Sequence, residues 1–129
     1  MSVGILIITH GGTGAALIEE AGFVLGQALE NVNCLALNQS GDLPASLKHI
    51  RAAMEQSHTE NGLLVLTDLL GASPANLVAE ILDEYHAIMV TGINLGMLIR
   101  VCNYRDNPLE LVARKAVGGG RSAVKIFQA

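Results

Sequence analysis

Tryptophan is absent from this chain of 129 residues, and aromatic residues of all kinds make up 3% of it. The hydrophobic half of the sequence is therefore carried by Ala, Val, Leu and Ile, enough for a well-filled core in one domain of ordinary size. Basic residues are also few. Eight Lys and Arg stand against twelve Asp and Glu, for a net charge of −4. They are dispersed, with neither the basic stripe of a nucleic-acid surface nor a polybasic cluster for anionic lipid. Only two cysteines occur, Cys34 and Cys102. They form no CxxC pair and no metal-ligand spacing, so buried free thiols are expected rather than a disulfide. No apolar run is long enough to span a bilayer, and no basic n-region precedes the first one. A cytoplasmic, reducing location is expected.

What the chain does contain is a regular alternation. Val3 to Ile8, Val32 to Leu37, Leu63 to Leu66 and Ala87 to Val90 are nearly continuous apolar runs. Strands covered on both faces read this way. Helical patterns lie between them. Leu17, Ala21, Val24, Leu25 and Ala28 share one face, and Leu43, Leu47, Ile50 and Met54 share another. Asp42 is expected to cap the second helix, with Pro44 in its first turn. Ser73-Pro74 is expected to open the third, with Leu77, Val78, Ile81 and Leu82 as its stripe. Leu95 to Val101 is a short fourth helix. A fifth restarts at Asn107-Pro108 and runs to about Val117, where Gly118-Gly119-Gly120 is expected to end it. The tail, Ser122 to Phe127, is β-capable, either an antiparallel edge strand or a strand exchanged with a partner chain. The order implies a three-layer α/β/α fold with a mainly parallel sheet of four strands in the order 2-1-3-4.

Ligands of such sheets bind beyond the carboxyl ends of strands, where the winding reverses. In that order the crevice lies between the loops after strands one and three. The first is Thr9-His10-Gly11-Gly12-Thr13-Gly14; the second is Thr67-Asp68-Leu69-Leu70-Gly71-Ala72-Ser73-Pro74. A carboxylate accepting from Nδ1–H of His10 would fix its tautomer and leave Nε2 a nucleophile. A phosphoryl group on Nε2 brings about two negative charges. Backbone N–H groups around Gly11, Gly12 and Thr13, at a helix start, can receive it, and Ser73 can add a hydrogen bond. Each piece has a plainer reading alone: His10 as a loop residue, Asp68 satisfying loop amides, Ser73-Pro74 as a helix cap. Their convergence at one corner favours function. The glycines do not form GxGxxG, no P-loop lysine follows, and these residues call for neither metal nor nucleotide. His49, His58 and His86 read as surface residues, and Cys102 and Tyr104 as packing.

Three stretches resemble one family. Gly4-Ile5-Leu6-Ile7-Ile8-Thr9-His10-Gly11, Leu66-Thr67-Asp68-Leu69-Leu70-Gly71-Ala72-Ser73-Pro74-Ala75-Asn76 and Gly92-Ile93-Asn94-Leu95-Gly96-Met97-Leu98 are similar to motifs of the IIA component of the mannose family of the bacterial sugar phosphotransferase system (PTS). They keep their order, and the resemblance covers nearly all of residues 1–129 as a single IIA domain. It implies that His10 accepts a phosphoryl group from the phosphohistidine of the carrier protein HPr and passes it to a IIB partner in sugar uptake or a regulatory relay. It implies further that Asp68 orients His10, that Ser73 sits beside the phosphate, and that Thr9 and Asn94 line the pocket. Homodimers, sometimes with an exchanged last strand, are implied too, as is contact with a membrane only through the transport complex. The chain departs from the family at Ala72, where Gly is common, at Gly96, where Pro is common, and at Leu69-Leu70, where an aromatic is common. These departures bear on the partner surface and the sugar. With no IIB domain within it, the acceptor is expected to be a separate protein. The rival readings are a phosphotransfer subunit for dihydroxyacetone kinase, a regulatory phosphoprotein without onward transfer, and a ligand-binding domain that is never phosphorylated.

Overall fold

The computed structural model describes residues 2–37, 43–69 and 71–128, with the backbone alone described for Leu43, Ala72, Ser73, Pro74 and Leu77. The expected cap Asp42 lies outside the described residues. Four strands, β1 (Gly4–His10), β2 (Val32–Leu37), β3 (Leu63–Thr67) and β4 (Ala87–Thr91), pair in parallel in the order β2-β1-β3-β4. Five helices connect or follow them: α1 (Thr13–Leu25), α2 (Leu43–Ser57), α3 (Ala72–Ile81), α4 (Leu95–Tyr104) and α5 (Leu109–Ser122), with a 3₁₀ turn at Leu82–Tyr85. Among the described residues no helix is long and apolar enough to cross a membrane.

The continuous apolar runs follow from burial on both sheet faces. Ile5 and Ile7 of β1 and Leu64 and Leu66 of β3 face a layer built from α1, α4 and α5, where Ala21, Leu98, Val101, Val112 and Ala116 are buried. Leu6, Ile8, Leu63 and Val65 face Ile50 and Met54 of α2 and Val78 and Ile81 of α3. Each such side chain contributes about 1.5–3 kcal/mol on burial. The central strands β1 and β3 are thus fixed from both sides, and their carboxyl ends form a rigid platform.

Four expectations need correction. The fifth helix does not stop at Gly118 but runs on to Ser122. Gly119 and Gly120 face α4: a Cβ on Gly119 would lie 2.5 Å from Cβ of Arg100, and one on Gly120 2.8 Å from Cε of Met97. These glycines let two helices approach closely; they are not a stop signal. The tail, in consequence, begins later than expected, and residues 124–128 form no strand within the chain. Val24, expected in the core, is 60% exposed, because α1 buries only Gly14 and Ala21 fully. Cys34 is free but exposed, because β2 is an edge strand; Cys102 is free and partly buried. Burial pushes the Cys102 thiol pKa up, with Arg105 opposing.

Candidate functional site

His10 is the last residue of β1 and so inherits the position of a strand fixed on both faces. Ile8 pairs with Thr67, the last residue of β3, which places Asp68 beside the end of β1. The Asp68 carboxylate receives two donors from one residue. The His10 backbone N–H donates to Oδ2 at 3.0 Å, and the ring Nδ1 lies 3.1 Å from Oδ2 and 3.2 Å from Oδ1. An ionised carboxylate can only accept, so this contact favours a proton on Nδ1, which in a neutral imidazole leaves the lone pair on Nε2. The ring is held at two points, its backbone and its Nδ1 edge. The His10 side chain is 46% exposed and that of Asp68 22%, so the imidazole stands open to solvent while the carboxylate against it is more screened.

The corner that follows is built by local chemistry. Gly11 adopts φ 51°, a left-handed conformation that other residues reach only with strain, and it turns the chain from strand to helix. A Cβ on Gly11 or Gly12 would meet nothing within 4 Å, so the backbone lies open. Thr9 is 1% exposed, and its hydroxyl accepts the N–H of Gly14 at 2.8 Å. Thr9, expected to line the pocket, uses its hydroxyl to satisfy a donor of the first turn of α1. The sequence sign of this bond is a threonine near the end of a strand that a glycine turn joins to a helix. The Gly11 N–H likewise donates to the Leu37 carbonyl at 3.4 Å. Of the glycine-rich corner, this leaves the N–H groups of Gly12 and Thr13, at a helix start, without a partner among the described residues, a geometry in which backbone N–H groups can receive an anion.

The second loop is described in part. Gly71, not Ser73, is the N-cap of α3, and its carbonyl accepts from the Ala75 N–H. The Ser73 side chain lies outside the described residues. Thr67 is fully buried and its hydroxyl has no partner among the described residues. Its carbonyl accepts from the Ile93 N–H at 2.9 Å, which ties the loop after β4 to the end of β3. Asn94 follows in that loop with its amide engaged at both ends. Oδ1 accepts from the Met97 N–H at 2.9 Å, capping α4, and Nδ2 donates to the Gly120 carbonyl at 3.0 Å. Asn94 lines a groove beside β4 with Thr91, Gly92 and Val124, one strand away from the His10–Asp68 pair. The structure thus brings His10, Asp68, Gly12 and Thr13 to one end of the central strands and gives Thr9 and Asn94 bonds internal to the fold.

A family model described as the PTS system fructose IIA component matches residues 4–114. The chain belongs to that family. The mannose-specific EIIAB component of the PTS in Escherichia coli K12 is 32% identical over 133 residues, an alignment that covers 100% of this chain and 41% of that protein. The IIA chain therefore spans about two fifths of the length of that curated relative. A fructose-specific EIIA component of Bacillus subtilis is 24% identical over 106 residues, covering 81% of this chain and 72% of that one. The mannose/sorbose-specific IIA subunit of the phosphotransferase system from Enterococcus faecalis superimposes with a TM-score of 0.86 at 21% identity, over 100% of this chain and 97% of that one. That likeness shows the fold, including the four-stranded parallel sheet in the order 2-1-3-4.

Proposed function

We propose that this IIA-family chain is a phosphohistidine carrier, with His10 as acceptor, phosphorylated HPr as donor and a IIB component as the next acceptor. The observation that carries the reading is the paired contact of Asp68 with the backbone N–H and Nδ1 of His10. The lone pair of Nε2 attacks the phosphorus of the donor's phosphohistidine in line. A new N–P bond forms as the donor's N–P bond breaks, and that electron pair returns to the donor ring. The Nδ1 proton stays in place, and the cation that develops on the His10 ring is stabilised by Asp68. Gly12 and Thr13 offer N–H groups to the phosphoryl oxygens, while the orienting contacts hold the ring ready. Positioning and charge stabilisation thus carry the step. The reverse geometry serves discharge to the IIB partner.

Residues 1–129 act in this reading as one IIA unit, working in the cytoplasm. Two copies form a dimer. The exposed Val124, Ile126 and Phe127 of the tail and the open edge of β4 support an exchanged strand. The test is phosphoryl uptake from phosphoenolpyruvate through enzyme I and HPr, read as intact mass, followed by addition of candidate IIB proteins. The expected result is gain of one phosphoryl group and its loss to one IIB protein. A phosphorylated form that no IIB protein discharges would favour the regulatory rival, and an unchanged mass would remove the carrier reading.

A further inference from the structure

Helix α1 begins without the side chain that usually closes a helix start. Its N-cap is Gly12, which has no side chain to offer. Ser, Thr, Asp or Asn is the common residue there, its oxygen accepting the N–H two or three positions on. In α1 that task falls to Thr9, three residues earlier and still in β1. Its hydroxyl accepts from the N–H of Gly14, two positions after Gly12, at 2.8 Å. The bond is screened from water, since Thr9 and Gly14 are both buried. Gly14 also sets how closely the helix sits on the strand. A Cβ there would lie 3.1 Å from Oγ1 of Thr9 and 3.1 Å from Cγ2 of Ile7. The first turn of α1 therefore rests directly on β1, at the residues just ahead of His10.

We infer that Thr9 is a positioning residue for phosphoryl transfer to His10: by capping α1 from the strand beneath, it fixes the N–H groups of Gly12 and Thr13 that receive the phosphoryl oxygens. The inference rests on the carrier reading above. A capping side chain at position 12 would serve the helix equally but would crowd the site. It would start from the open side of the corner, where a Cβ meets nothing within 4 Å. Its oxygen would also compete with the phosphoryl group for the N–H groups of the first turn. A cap on the buried side leaves the open side to the anion. The N–H groups of Gly12 and Thr13 have no partner among the described residues, and the pinned turn holds both next to the ring that Asp68 orients. Donors fixed before the charge arrives need no rearrangement when it does, which is how such groups favour transfer. Thr9 itself, buried behind the turn, acts through Gly14 and not on the phosphoryl group.

The test compares Thr9→Val, which keeps the β-branched shape and removes the acceptor, with Thr9→Ser, which keeps the acceptor. Each is equilibrated with phosphorylated HPr well below its unfolding temperature, and intact mass gives the distribution of phosphoryl groups between the two proteins. The expected result is an equilibrium constant for transfer onto His10 lowered about tenfold in Thr9→Val, the scale of one lost hydrogen bond, and within about twofold of the unaltered value in Thr9→Ser. A purely structural bond would lower the unfolding temperature of Thr9→Val and leave this constant where it was, which overturns the inference. So does an equal fall in Thr9→Ser, which would assign the effect to the Thr9 methyl. Amide NMR of the unaltered protein gives a reading that needs no variant, should Thr9→Val fail to fold. On phosphorylation the Gly12 and Thr13 N–H resonances should move downfield as they take up phosphoryl oxygens, while that of Gly14, already bonded to Thr9, holds its place. Resonances of Gly12 and Thr13 that stay put, or a Gly14 resonance that moves as far as theirs, overturn it. If the unaltered protein gains no phosphoryl group from phospho-HPr, the carrier reading itself has failed, a result distinct from the others.

Discussion

His10 and Asp68 are separated by 57 residues in sequence and 3.1 Å in space, and the proposed chemistry depends on that meeting. An asparagine at position 68 presents an amide that can donate as well as accept, so it no longer dictates which ring nitrogen of His10 holds the proton. Asp68→Asn should therefore slow phosphoryl transfer by roughly 10–100-fold, the usual cost of losing an orienting partner. Its stability should change little, because a partly exposed ion pair contributes about 0–1 kcal/mol. Transfer kinetics and thermal unfolding of the same preparation check both halves; an unaltered rate would remove the orienting role. The two cysteines give a second test at this scale. Cys34 is exposed, while burial raises the Cys102 thiol pKa. Alkylation at mildly alkaline pH, followed by peptide mapping, should label Cys34 first; faster labelling of Cys102 would contradict the packing around α4. The meeting of His10 and Asp68 was legible because each is the first ionisable group after an apolar strand. The engagement of Thr9 with Gly14 was not, since a buried hydroxyl and a pocket-lining one look alike in sequence.

Among the elements, α5 departs furthest from its sequence pattern. Three successive glycines normally weaken a helix, by up to about 1 kcal/mol each relative to alanine. Propensity alone would make Gly119→Ala stabilising. The structure reverses the sign, because the added Cβ would meet the Arg100 Cβ at 2.5 Å and not the mobile end of a side chain. Gly119→Ala should lower stability by about 1–3 kcal/mol, the range of core overpacking, as measured by urea unfolding. A stabilised variant would show that α4 and α5 do not pack as described. Strand positions were legible from continuous hydrophobicity, which depends only on burial at both faces. The role of the glycines was not, because the same residue ends helices and permits their close approach, and only the neighbour decides.

For the whole molecule, the strand order 2-1-3-4 was legible from the alternation of elements and the handedness of their connections, and it alone brings the loops after β1 and β3 together. Exposure was less legible. Val24 and the tail carry apolar residues that a core pattern would claim, and the folded single chain leaves them on its surface. Deleting residues 124–129 should leave the single-chain fold intact by circular dichroism and convert a dimer to monomers by sedimentation. A dimer that survives the deletion would contradict strand exchange through the tail. The central claim, that His10 receives the phosphoryl group on the edge facing away from Asp68, is tested most directly by nitrogen-15 NMR of the histidine rings after phosphorylation through HPr. The account predicts one phosphohistidine, at Nε2 of His10, with Nδ1 still protonated. A phosphoryl group on Nδ1, or on any other residue, would contradict it.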